Sequence, residues 1–558
     1  MPDDLNLVNK LYYGDNLIIM REFITDECVD LIYLDPPFNS KATYNVLFHE
    51  KDGSDSPAQI TAFEDTWHWD MAAAATYEEL VKDGPAKLSD LVQALRSFLG
   101  TNDMMAYLTM MAIRLVEMRR VLKKTGSIYL HCDPTASHYL KLVMDAVFGT
   151  ANYKNEIIWK RTSAHSDSGA CGNAHDILLL YSKDQKGFRW NKQYQAYDES
   201  YMESHYRRVD EKGRRFRTSD MTAGGLSGGG YEYEWNGVRR VWRCPIEKMR
   251  ELHDQGRIRY TKNGVAEYIR YLEDMPGVPL QDVWTDVYPV NPMARERLGY
   301  PTQKPEGLLE RIIQASSNEG DLVLDPFCGC GTTIAVAERL HRRWIGVDVT
   351  HLAITLMERR LKDAFGEQLA PYQVIGDPRD LESARALSQS NRYQFEWWAL
   401  SLVEAKPAQD KKKGSDKGID GYINFFDDES GKAKKIVVQV KSGHVSVHQV
   451  RDLCHVVERE KAAIGVLVSL DKPTSHMKEE AAGFGFYTPE HYPDRKYPRM
   501  QLLTVGELLA DAEVKYPKTL APQATFKKAA AKKKAPRSSD RGHPEAMFED
   551  GLLANEDE

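Results

Sequence analysis

The sequence predicts an α/β fold in which helices cover both faces of a largely parallel sheet, followed by a second, smaller α/β domain. The first observation is an alternation of strand-like and helical stretches over residues 1–160, which resumes near residue 320. The second is an intervening stretch, about 160–300, that is rich in Arg, Tyr, Trp and Gly. Such alternation is typical of parallel sheets with helical crossovers. The intervening stretch is therefore predicted to be a β-rich insertion.

The bulk composition indicates a water-soluble, cytoplasmic protein without a membrane partner. The 558 residues are 42% hydrophobic and 28% charged, and no apolar run approaches the length of a membrane span. The acidic start "MPDDLN" does not resemble a signal peptide. Seven scattered cysteines favour a reducing compartment. The net charge of -8 means that any contact with nucleic acid must come from local basic surfaces.

The predicted elements of the first half are set by their composition and their breakers. "LVNKLYYGDN" is a strand ending at Gly14-Asp15. "DMMAYLTMMAIRLVEMRRVLKKTG" is a long helix, with Asp103 as the expected N-cap and Gly126 as the expected end. Its methionines are assigned to the core, because Met fills irregular cores well. "GSIYLHCD" is a further strand, and "SHYLKLVMDAVFG" is a helix ending at Gly149.

One buried strand runs directly into an aspartate and two prolines, in "VDLIYLDPPFNSKATYN". Pro36 and Pro37 lack the backbone donor that a central strand needs, so Asp35 must lie at the carboxyl end of its strand. Open α/β sheets bind their ligands at that end. The alternative is that Asp35 makes only an ordinary turn bond.

The insertion interleaves basic and aromatic residues, as in "YRRVDEKGRRFRTSD" and "YEYEWNGVRRVWRC". This mixture suits phosphate contacts and base stacking. The alternative is a surface insertion whose charges only maintain solubility. "GGLSGGG" is not followed by a strand-to-helix pattern and is predicted to be a loop.

A nucleotide-type site is predicted in "DLVLDPFCGCGTT", where a strand ends at Asp325 and a glycine-rich turn leads into a helix. Gly329 and Gly331 would let the backbone approach a ligand closely. About twenty residues later, "WIGVDV" places Asp348 at the end of the next strand, the position that holds ribose hydroxyls in nucleotide-binding folds. The pattern fits both NAD and S-adenosylmethionine. The CxC spacing of the loop cysteines is too tight for a zinc site without further ligands.

Together, "DPPF" and "DPFCGCGTT" resemble the catalytic and cofactor motifs of amino-group DNA methyltransferases, in the permuted order of the β group. "YPTQKPEGLLERII" resembles the stretch that completes the cofactor pocket in that family, and "FGTANYKNEIIWKR" and "PLQDVWTDV" resemble the flanks of its recognition region. The resemblance covers about residues 7–365. It implies a Rossmann-like methyltransferase domain over residues 1–370, with a target-recognition insertion at about 160–300.

The resemblance also implies roles for individual residues. Asp35 and the carbonyl of Pro36 would accept the hydrogens of the target amine, next to Pro37, and Phe38 would stack on a flipped-out base. "DPPF", with aspartate first, favours adenine N6 over cytosine N4. The implied S-adenosylmethionine site comprises Asp15 at the adenine, Lys304, Asp325 at the methionine amino group, Pro326, Phe327, Gly329, Gly331, Thr332 and Asp348 at the ribose.

Residues 385–512 resemble the Mrr-like restriction endonucleases, through "GIDGYINFFDDESGKAKKIVVQVK" and "FEWWALSLVEA". The resemblance implies that Asp420 and Gln439 bind Mg²⁺, that Lys441 orients the attacking water and that Glu396 is an additional acid. A neutral glutamine replaces the usual acid, so a domain that only binds DNA or a partner is the alternative. Residues 513–558 are predicted to be a disordered charged tail.

Three hypotheses describe the whole protein. The first is a modification-and-restriction enzyme that methylates adenine and cleaves double-stranded DNA. The second is a methyltransferase whose C-terminal domain is not catalytic. The third is a methyltransferase of RNA or small molecules, which the long insertion disfavours because small substrates need no such reader. A homodimer and restriction-system partners are further expectations.

Overall fold

The structure is a computed structural model, and it describes residues 8–37, 43–46, 60–64, 68–162, 171–223, 230–291, 294, 296–298, 300, 303–408, 418–425, 433–489, 494–517, 529–535 and 537. The chain forms two compact units. Unit 1 comprises residues 1–191 and 282–535, and unit 2 comprises residues 192–281 with 536–558. The insertion predicted at about 160–300 therefore contains a separate unit over 192–281.

The elements before residue 192 belong to unit 1. The strands are β1 (Asn9–Tyr13), β2 (Val29–Leu34), β3 (Thr43–Val46), β4 (Ile60–Glu64), β5 (Leu122–Cys132), β6 (Tyr153–Lys160) and β7 (His175–Ser182). The helices are α1 (Asn16–Phe23), α2 (Met71–Asp83), α3 (Ala86–Leu99), α4 (Asp103–Val121) and α5 (Pro134–Phe148).

Unit 2 consists mostly of short antiparallel strands, as the β-rich insertion predicts. They are β8 (Tyr194–Gln195), β9 (Arg208–Val209), β10 (Arg215–Asp220), β11 (Tyr231–Trp235), β12 (Val238–Trp242), β13 (Ile258–Tyr260), β14 (Ala266–Tyr271) and β15 (Val278–Pro279), with helices α6 (Glu199–His205) and α7 (Ile246–Asp254). The described strands pair as a four-stranded sheet in the order β13-β14-β10-β9, a hairpin β11-β12 and a pair β15-β8.

Unit 1 resumes after residue 281. Its strands are β16 (Val283–Trp284), β17 (Leu322–Asp325), β18 (Arg343–Asp348), β19 (Tyr372–Ile375), β20 (Lys406–Pro407), β21 (Gly421–Phe425), β22 (Lys434–Lys441), β23 (Ile464–Ser469), β24 (Phe486–Tyr487), β25 (Tyr497–Pro498) and β26 (Met500–Thr504). Its helices are α8 (Glu306–Ser316), α9 (Thr332–Arg339), α10 (His351–Phe365), α11 (Leu381–Ser390), α12 (Arg392–Leu402), α13 (Val447–Arg459), α14 (Ser475–Gly483) and α15 (Val505–Leu509).

A nine-stranded sheet organises the larger part of unit 1, in the order β16-β6-β7-β5-β2-β17-β18-β1-β19. The six neighbouring strands from β5 to β19 are all parallel, whereas β7 runs antiparallel to β5 and β6. β2 is buried along its whole length, as a central strand requires. The Rossmann-like α/β class is confirmed.

The remainder of unit 1 is a five-stranded sheet in the order β20-β21-β22-β23-β26. Its last three strands are parallel, and the β21–β22 pair is antiparallel. Helix α10 contacts α12, so the two sheets lie within one compact unit. The domain division between residues 370 and 385 stays a prediction.

Three local predictions need correction. The long helix ends at Val121 and not near Gly126, because "LKKTG" already belongs to β5. Its N-cap is Asn102, whose side chain accepts the N–H of Met105, and not Asp103. The predicted disordered tail contains two ordered stretches, 513–517 and 529–535. Gln501 forms two hydrogen bonds with the backbone of Lys515 in the first stretch, and residues of the second stretch pair with Asp363 and Glu338.

Candidate functional site

Four strand ends meet at one edge of the large sheet. β2, β17, β18 and β1 are neighbours and parallel, so their carboxyl ends lie side by side. Asp35 follows β2, Asp325 and Asp348 end β17 and β18, and Asp15 follows β1 by one glycine. All four residues line one cavity of about 200 Å³. The fold thus brings together acids from the two ends of the methyltransferase-like region, Asp15 and Asp35 from one end and Asp325 and Asp348 from the other.

Asp35 forms an ion pair with Lys304, with 2.5 Å between Oδ2 and Nζ. Both side chains are mostly buried, with exposed fractions of 17% and 11%. The pair links the "DPP" turn to the segment that precedes α8. Pro37 also lines the cavity, whereas Phe38 lies outside the described residues. The lysine that the family resemblance assigned to the cofactor therefore contacts the proposed catalytic carboxylate directly.

The glycine-rich turn has the conformation that its sequence predicts. Gly329 and Gly331 have φ values of +47° and +73°, in the left-handed region that favours glycine. A Cβ on Gly331 would lie 2.2 Å from Cγ of Met357, so a larger residue would collide there. The turn leads into α9 at Thr332, which lines the cavity. Cys328 and Cys330 are buried free thiols of the turn, in agreement with a structural role.

Two of the cavity acids are held in an environment that disfavours their charge. Burial raises the pKa of Asp325 to about 7, and the nearby carboxylates of Asp35 and Asp348 add to the effect. Burial likewise raises the pKa of Asp348 to about 6, although its oxygens accept N–H groups from Gly329 and Thr350. A positively charged ligand would relieve this cost. The two buried carboxylates therefore favour a positively charged ligand in this cavity.

The carboxylate of Asp15 is engaged differently from what the resemblance implies. Both of its oxygens lie 2.9 Å from Nη2 of Arg114, a buried residue of α4. Arg114 also donates to Oδ1 of Asn16, and the Asn16 amide donates to the carbonyl of Pro326. Asp15 thus belongs to a bridge between the end of β1 and the turn after β17. The "DPF" turn is fastened to α1 and α4 through this bridge.

The donor set distinguishes between the two cofactors that the sequence left open. NAD brings an anionic pyrophosphate, whereas S-adenosylmethionine brings a sulfonium and an ammonium. The described lining contains two cations, Lys304 and Arg114, and both are paired with carboxylates. Two buried acids with raised pKa values therefore fit the cationic cofactor. Asp325 would hold its ammonium group and Asp348 its ribose, with Phe327 packed nearby.

A buried hydrogen-bond chain lies beside the cavity, and sequence reasoning missed it. The Tyr33 hydroxyl is 2.8 Å from Nδ1 of His131, and Nε2 of that ring is 3.1 Å from Oδ2 of Asp176. All three side chains are at most 2% exposed. Burial alone would raise the pKa of Asp176, but the hydrogen bond and charge of His131 bring it below its usual value. These hydrogen bonds hold the Tyr33 side chain in the cavity wall, two residues before Asp35.

The C-terminal residues lie on the predicted strands. Asp420 directly precedes β21, and its Oδ2 accepts the N–H of Val440 at 2.8 Å. Gln439 and Lys441 are two residues apart on β22 and so share a face. Glu396 lies half-buried on α12, which packs against β22.

These residues fit a resident Mg²⁺ ion poorly. The Gln439 amide donates to the carbonyl of Gly418 at 3.2 Å, and its buried Oε1 has no hydrogen-bond partner among the described residues. That oxygen is a ligand type that Mg²⁺ accepts. However, the described ranges contain no group of three or more His, Cys, Asp or Glu side chains that could hold a metal ion. Of the two predicted ligands, Asp420 and Gln439, only Asp420 has a carboxylate. One oxygen of that carboxylate already accepts the N–H of Val440.

Comparisons with known families give two matches. A family model described as DNA methylase matches residues 29–359, more than half of the chain. A second, described as NACHT-associated inactive Restriction Endonuclease 1, matches residues 393–510. The first match spans Asp35, Asp325 and Asp348. The second spans Asp420, Gln439 and Lys441.

Among individual relatives, the chain is 34% identical to the Type II methyltransferase M.EcaI of Enterobacter cloacae, over 52% of this chain and 65% of that protein. It is 28% identical to the Mod subunit of the Type III restriction-modification enzyme StyLTI of Salmonella typhimurium, over 60% and 50%. It is 25% identical to the DNA adenine methyltransferase YhdJ of Escherichia coli K12, over 64% and 83%. The chain thus spans half to two thirds of the length of the first two relatives.

Proposed function

The chain belongs to the DNA methylase family of the N6/N4 type, and on that premise we propose that it transfers a methyl group from S-adenosylmethionine to N6 of adenine in double-stranded DNA. The observation that carries the proposal is the shared cavity, where Asp35 lies beside the cofactor-type acids Asp325 and Asp348. The order of the motifs, with "DPPF" before "DPFCGCGTT", supports membership of the permuted β group.

The proposed mechanism rests on localising the lone pair of the target amine. An exocyclic amine of adenine is a weak nucleophile because its lone pair is delocalised into the ring. Asp35 and the carbonyl of Pro36 accept its two hydrogens, which directs the lone pair towards the methyl group. When bound, S-adenosylmethionine supplies that methyl group on a positively charged sulfur. The protein contributes chiefly by holding the two reactants in line.

Lys304 has a definite place in this proposal. Its ammonium group donates to Oδ2 of the Asp35 carboxylate, and a carboxylate group accepts hydrogen bonds and donates none. It also fixes the orientation of the carboxylate towards the cavity. Lys304 is therefore a positioning residue for Asp35, whereas the resemblance alone assigned it to the cofactor. Phe38 keeps its proposed role in stacking on a flipped-out base.

We propose that unit 2 reads the DNA. Its surface carries exposed arginines at Arg207, Arg208, Arg215, Arg239 and Arg240, together with exposed or half-exposed aromatic side chains. Arginines reach phosphates and base edges, and aromatic rings stack on unpaired bases. These arginines would supply local positive charge in a chain whose net charge is -8.

For residues 393–510 we propose a restriction-endonuclease-like domain that binds DNA or a partner without cleaving. The support is the neutral Gln439, the sparse carboxylate set among the described residues of β21 and β22, and the match to a family described as inactive. Mg²⁺-dependent cleavage by Asp420, Gln439 and Lys441 is the alternative. A homodimer and restriction-system partners remain proposals, the latter supported by the similarity to a Mod subunit.

We also propose a cytoplasmic location. All seven cysteines, each within the described ranges, are free thiols, as expected in a reducing compartment. Among the residues that the structure describes, no helix has the length and apolar character of a membrane span.

The test is to incubate purified protein with S-adenosylmethionine and unmethylated genomic DNA and to analyse the nucleosides by mass spectrometry. The expected product is N6-methyladenine, absent with the Asp35→Ala variant. If N4-methylcytosine is the only product, the target base is cytosine and not adenine, and the assignment as a DNA methyltransferase stands. No modified base from wild-type protein, despite cofactor binding, would refute the proposal.

A further inference from the structure

The C-terminal tail returns to helices α8, α9 and α10 of unit 1 through residues 529–535, "AAAKKKA", which we name the lysine segment. Its backbone is held at three points. The N–H of Ala529 donates to Oδ2 of Asp363, the N–H of Lys532 to the carbonyl of Ala364, and the N–H of Ala535 to the carbonyl of Arg339. Nε2 of His341 donates to the carbonyl of Ala535 at 2.6 Å. These contacts lie at the carboxyl ends of α9 and α10.

The side chains of the segment alternate in their contacts. Lys532 donates to Oε2 of Glu306 at 2.9 Å, and Lys534 to Oε1 of Glu338 at 2.6 Å. Lys533, between them, is exposed. Two lysines that are separated by one residue thus each reach a carboxylate.

The carboxylate of Glu338 needs a cation for physical reasons that do not depend on the segment. It is 1% exposed, and it also accepts hydrogen bonds from three neutral donors: Asn9 Nδ2, Trp344 Nε1 and the N–H of Ala370. It also lies in the last turn of α9, where the helix dipole disfavours negative charge. A buried carboxylate in such a place is costly unless it is paired. Lys534 supplies the missing charge.

The second lysine connects the segment to the cofactor turn. Glu306, which accepts from Lys532, also accepts from Arg360 Nη2 at 3.2 Å. Nη1 of Arg360 donates to the carbonyl of Cys330 and to Oγ1 of Thr332, at the start of α9. The lysine segment thus braces α9 at its end through Glu338 and at its start through Glu306 and Arg360. The start of α9 is the turn that lines the cavity.

We propose that the lysine segment is an intramolecular clasp for a peptide-binding groove formed by helices α8, α9 and α10, and that its engagement stabilises the glycine-rich turn of the cavity. The occupant is this chain's own residues 529–535, recognised by two carboxylates and by backbone pairing. The effect on cofactor affinity rests on the proposed function, whereas the occupancy of the groove does not.

Lysine labelling of the full-length wild-type protein tests occupancy without any substitution. An amine-acetylating reagent, followed by mass spectrometry, gives the labelling rate of each lysine. We expect Lys534 to react at least about tenfold more slowly than Lys533, because its ammonium is paired with a buried carboxylate. Lys532 should be intermediate, since Glu306 retains Arg360. Equal rates at all three positions, identical to those after denaturation, would overturn the proposal.

Full-length variants test the coupling. The Lys532→Glu/Lys534→Glu double variant should have a lower melting temperature and weaker S-adenosylmethionine binding by calorimetry, about fivefold or more. Lys533→Glu is the matched control, and should resemble wild type in both. A synthetic peptide of residues 526–537, added to the double variant, should restore the melting temperature, whereas the same peptide with both lysines replaced by glutamate should not.

The outcomes separate the two levels of inference. If the double variant matches Lys533→Glu in stability and cofactor affinity, the clasp is refuted while methylation stands. If the variants lose stability but wild-type protein binds no S-adenosylmethionine, the proposed function fails and the clasp survives as a structural device. Concentration-dependent rescue between two copies, seen as a dimer by light scattering, would show that the groove takes a second chain's segment and would overturn the intramolecular assignment.

Discussion

Replacing Asp325 by asparagine should make the protein more stable and abolish cofactor binding. Asp325 is 3% exposed, and its Oδ1 accepts the N–H of Phe327 at 3.1 Å. Asparagine has nearly the same shape and can keep that hydrogen bond through its own carbonyl oxygen. What it lacks is the negative charge. The Asp325→Asn variant therefore isolates the free energy of burying one carboxylate without its ligand.

The magnitude follows from the pKa. Burial raises the pKa of Asp325 from 3.8 to about 7. Each pKa unit of this difference corresponds to ~1.4 kcal/mol in the free energy of unfolding. Below pH 3.8 the group is protonated in both the folded and the unfolded protein, and it costs nothing. As the pH rises to 7 the unfolded chain ionises and the folded one does not, so stability falls. Above pH 7 the loss is constant at about 4 kcal/mol.

Thermal unfolding of the cofactor-free protein, from about pH 5 to about pH 9, measures this loss of stability. The melting temperature of Asp325→Asn should exceed that of wild type, with a difference that grows up to pH 7 and then levels off. Asp348→Asn is the matched control, because burial raises that pKa only to about 6 and its difference should level off earlier. A difference that does not change with pH would refute the reasoning.

The ionisation of Asp325 should also be measurable when the cofactor binds. Because the ammonium group of S-adenosylmethionine favours the ionised carboxylate, binding to wild-type protein near pH 7 should release about half a proton from Asp325. Calorimetry in buffers of different ionisation enthalpy counts the released protons. Asp325→Asn should release none from this position, and its cofactor binding should be too weak to measure.

The remaining predictions concern the other residues of the proposed chemistry. Asp35→Ala should abolish methyl transfer yet leave S-adenosylmethionine binding within about twofold by calorimetry, because the proposed partner of Asp35 is the target amine. Lys304→Met should lower kcat by about tenfold or more with the cofactor affinity preserved, since it releases the Asp35 carboxylate; an unchanged kcat would contradict its positioning role. Arg207→Gln and Arg208→Gln should each weaken DNA binding and reduce the slope of log K against log salt by about one, measured by fluorescence anisotropy. Lys441→Ala should leave methylation unchanged, and wild-type protein should leave unmethylated phage DNA intact with Mg²⁺ or Mn²⁺; cleavage that Lys441→Ala abolishes would restore the nuclease hypothesis.

The backbone of the large sheet was predictable because its signals are local. β2 is a short apolar run ended by two prolines, and β17 and β18 each end in an aspartate. Parallel connectivity then brings these ends to one edge. The glycine turn was predictable for a similar reason, since Gly329 and Gly331 adopt the positive φ values that a tight strand-to-helix turn requires.

The partners of the site residues were not predictable in this way, although some left a trace. Arg114 is the one cation between Asp103 and Glu117 in an otherwise apolar helix. A charge in such a helix requires a buried partner, which could have directed attention to the helix as part of the site. Its partner Asp15 is 99 residues away, and no local pattern identifies it.

Composition did not predict that the lysine segment is ordered. Residues 513–558 are charged and of low complexity, and a chain of that kind cannot bury enough apolar surface to fold by itself. The segment is ordered because another part of the chain has already formed its site: a buried carboxylate at the end of α9 that nothing local neutralises. The information that orders the tail is therefore stored in Glu338, whose side chain is paired with Lys534 almost 200 residues later. A buried acid at a helix carboxyl end is thus evidence for a distant cation, and the low-complexity tail is where this protein supplies it.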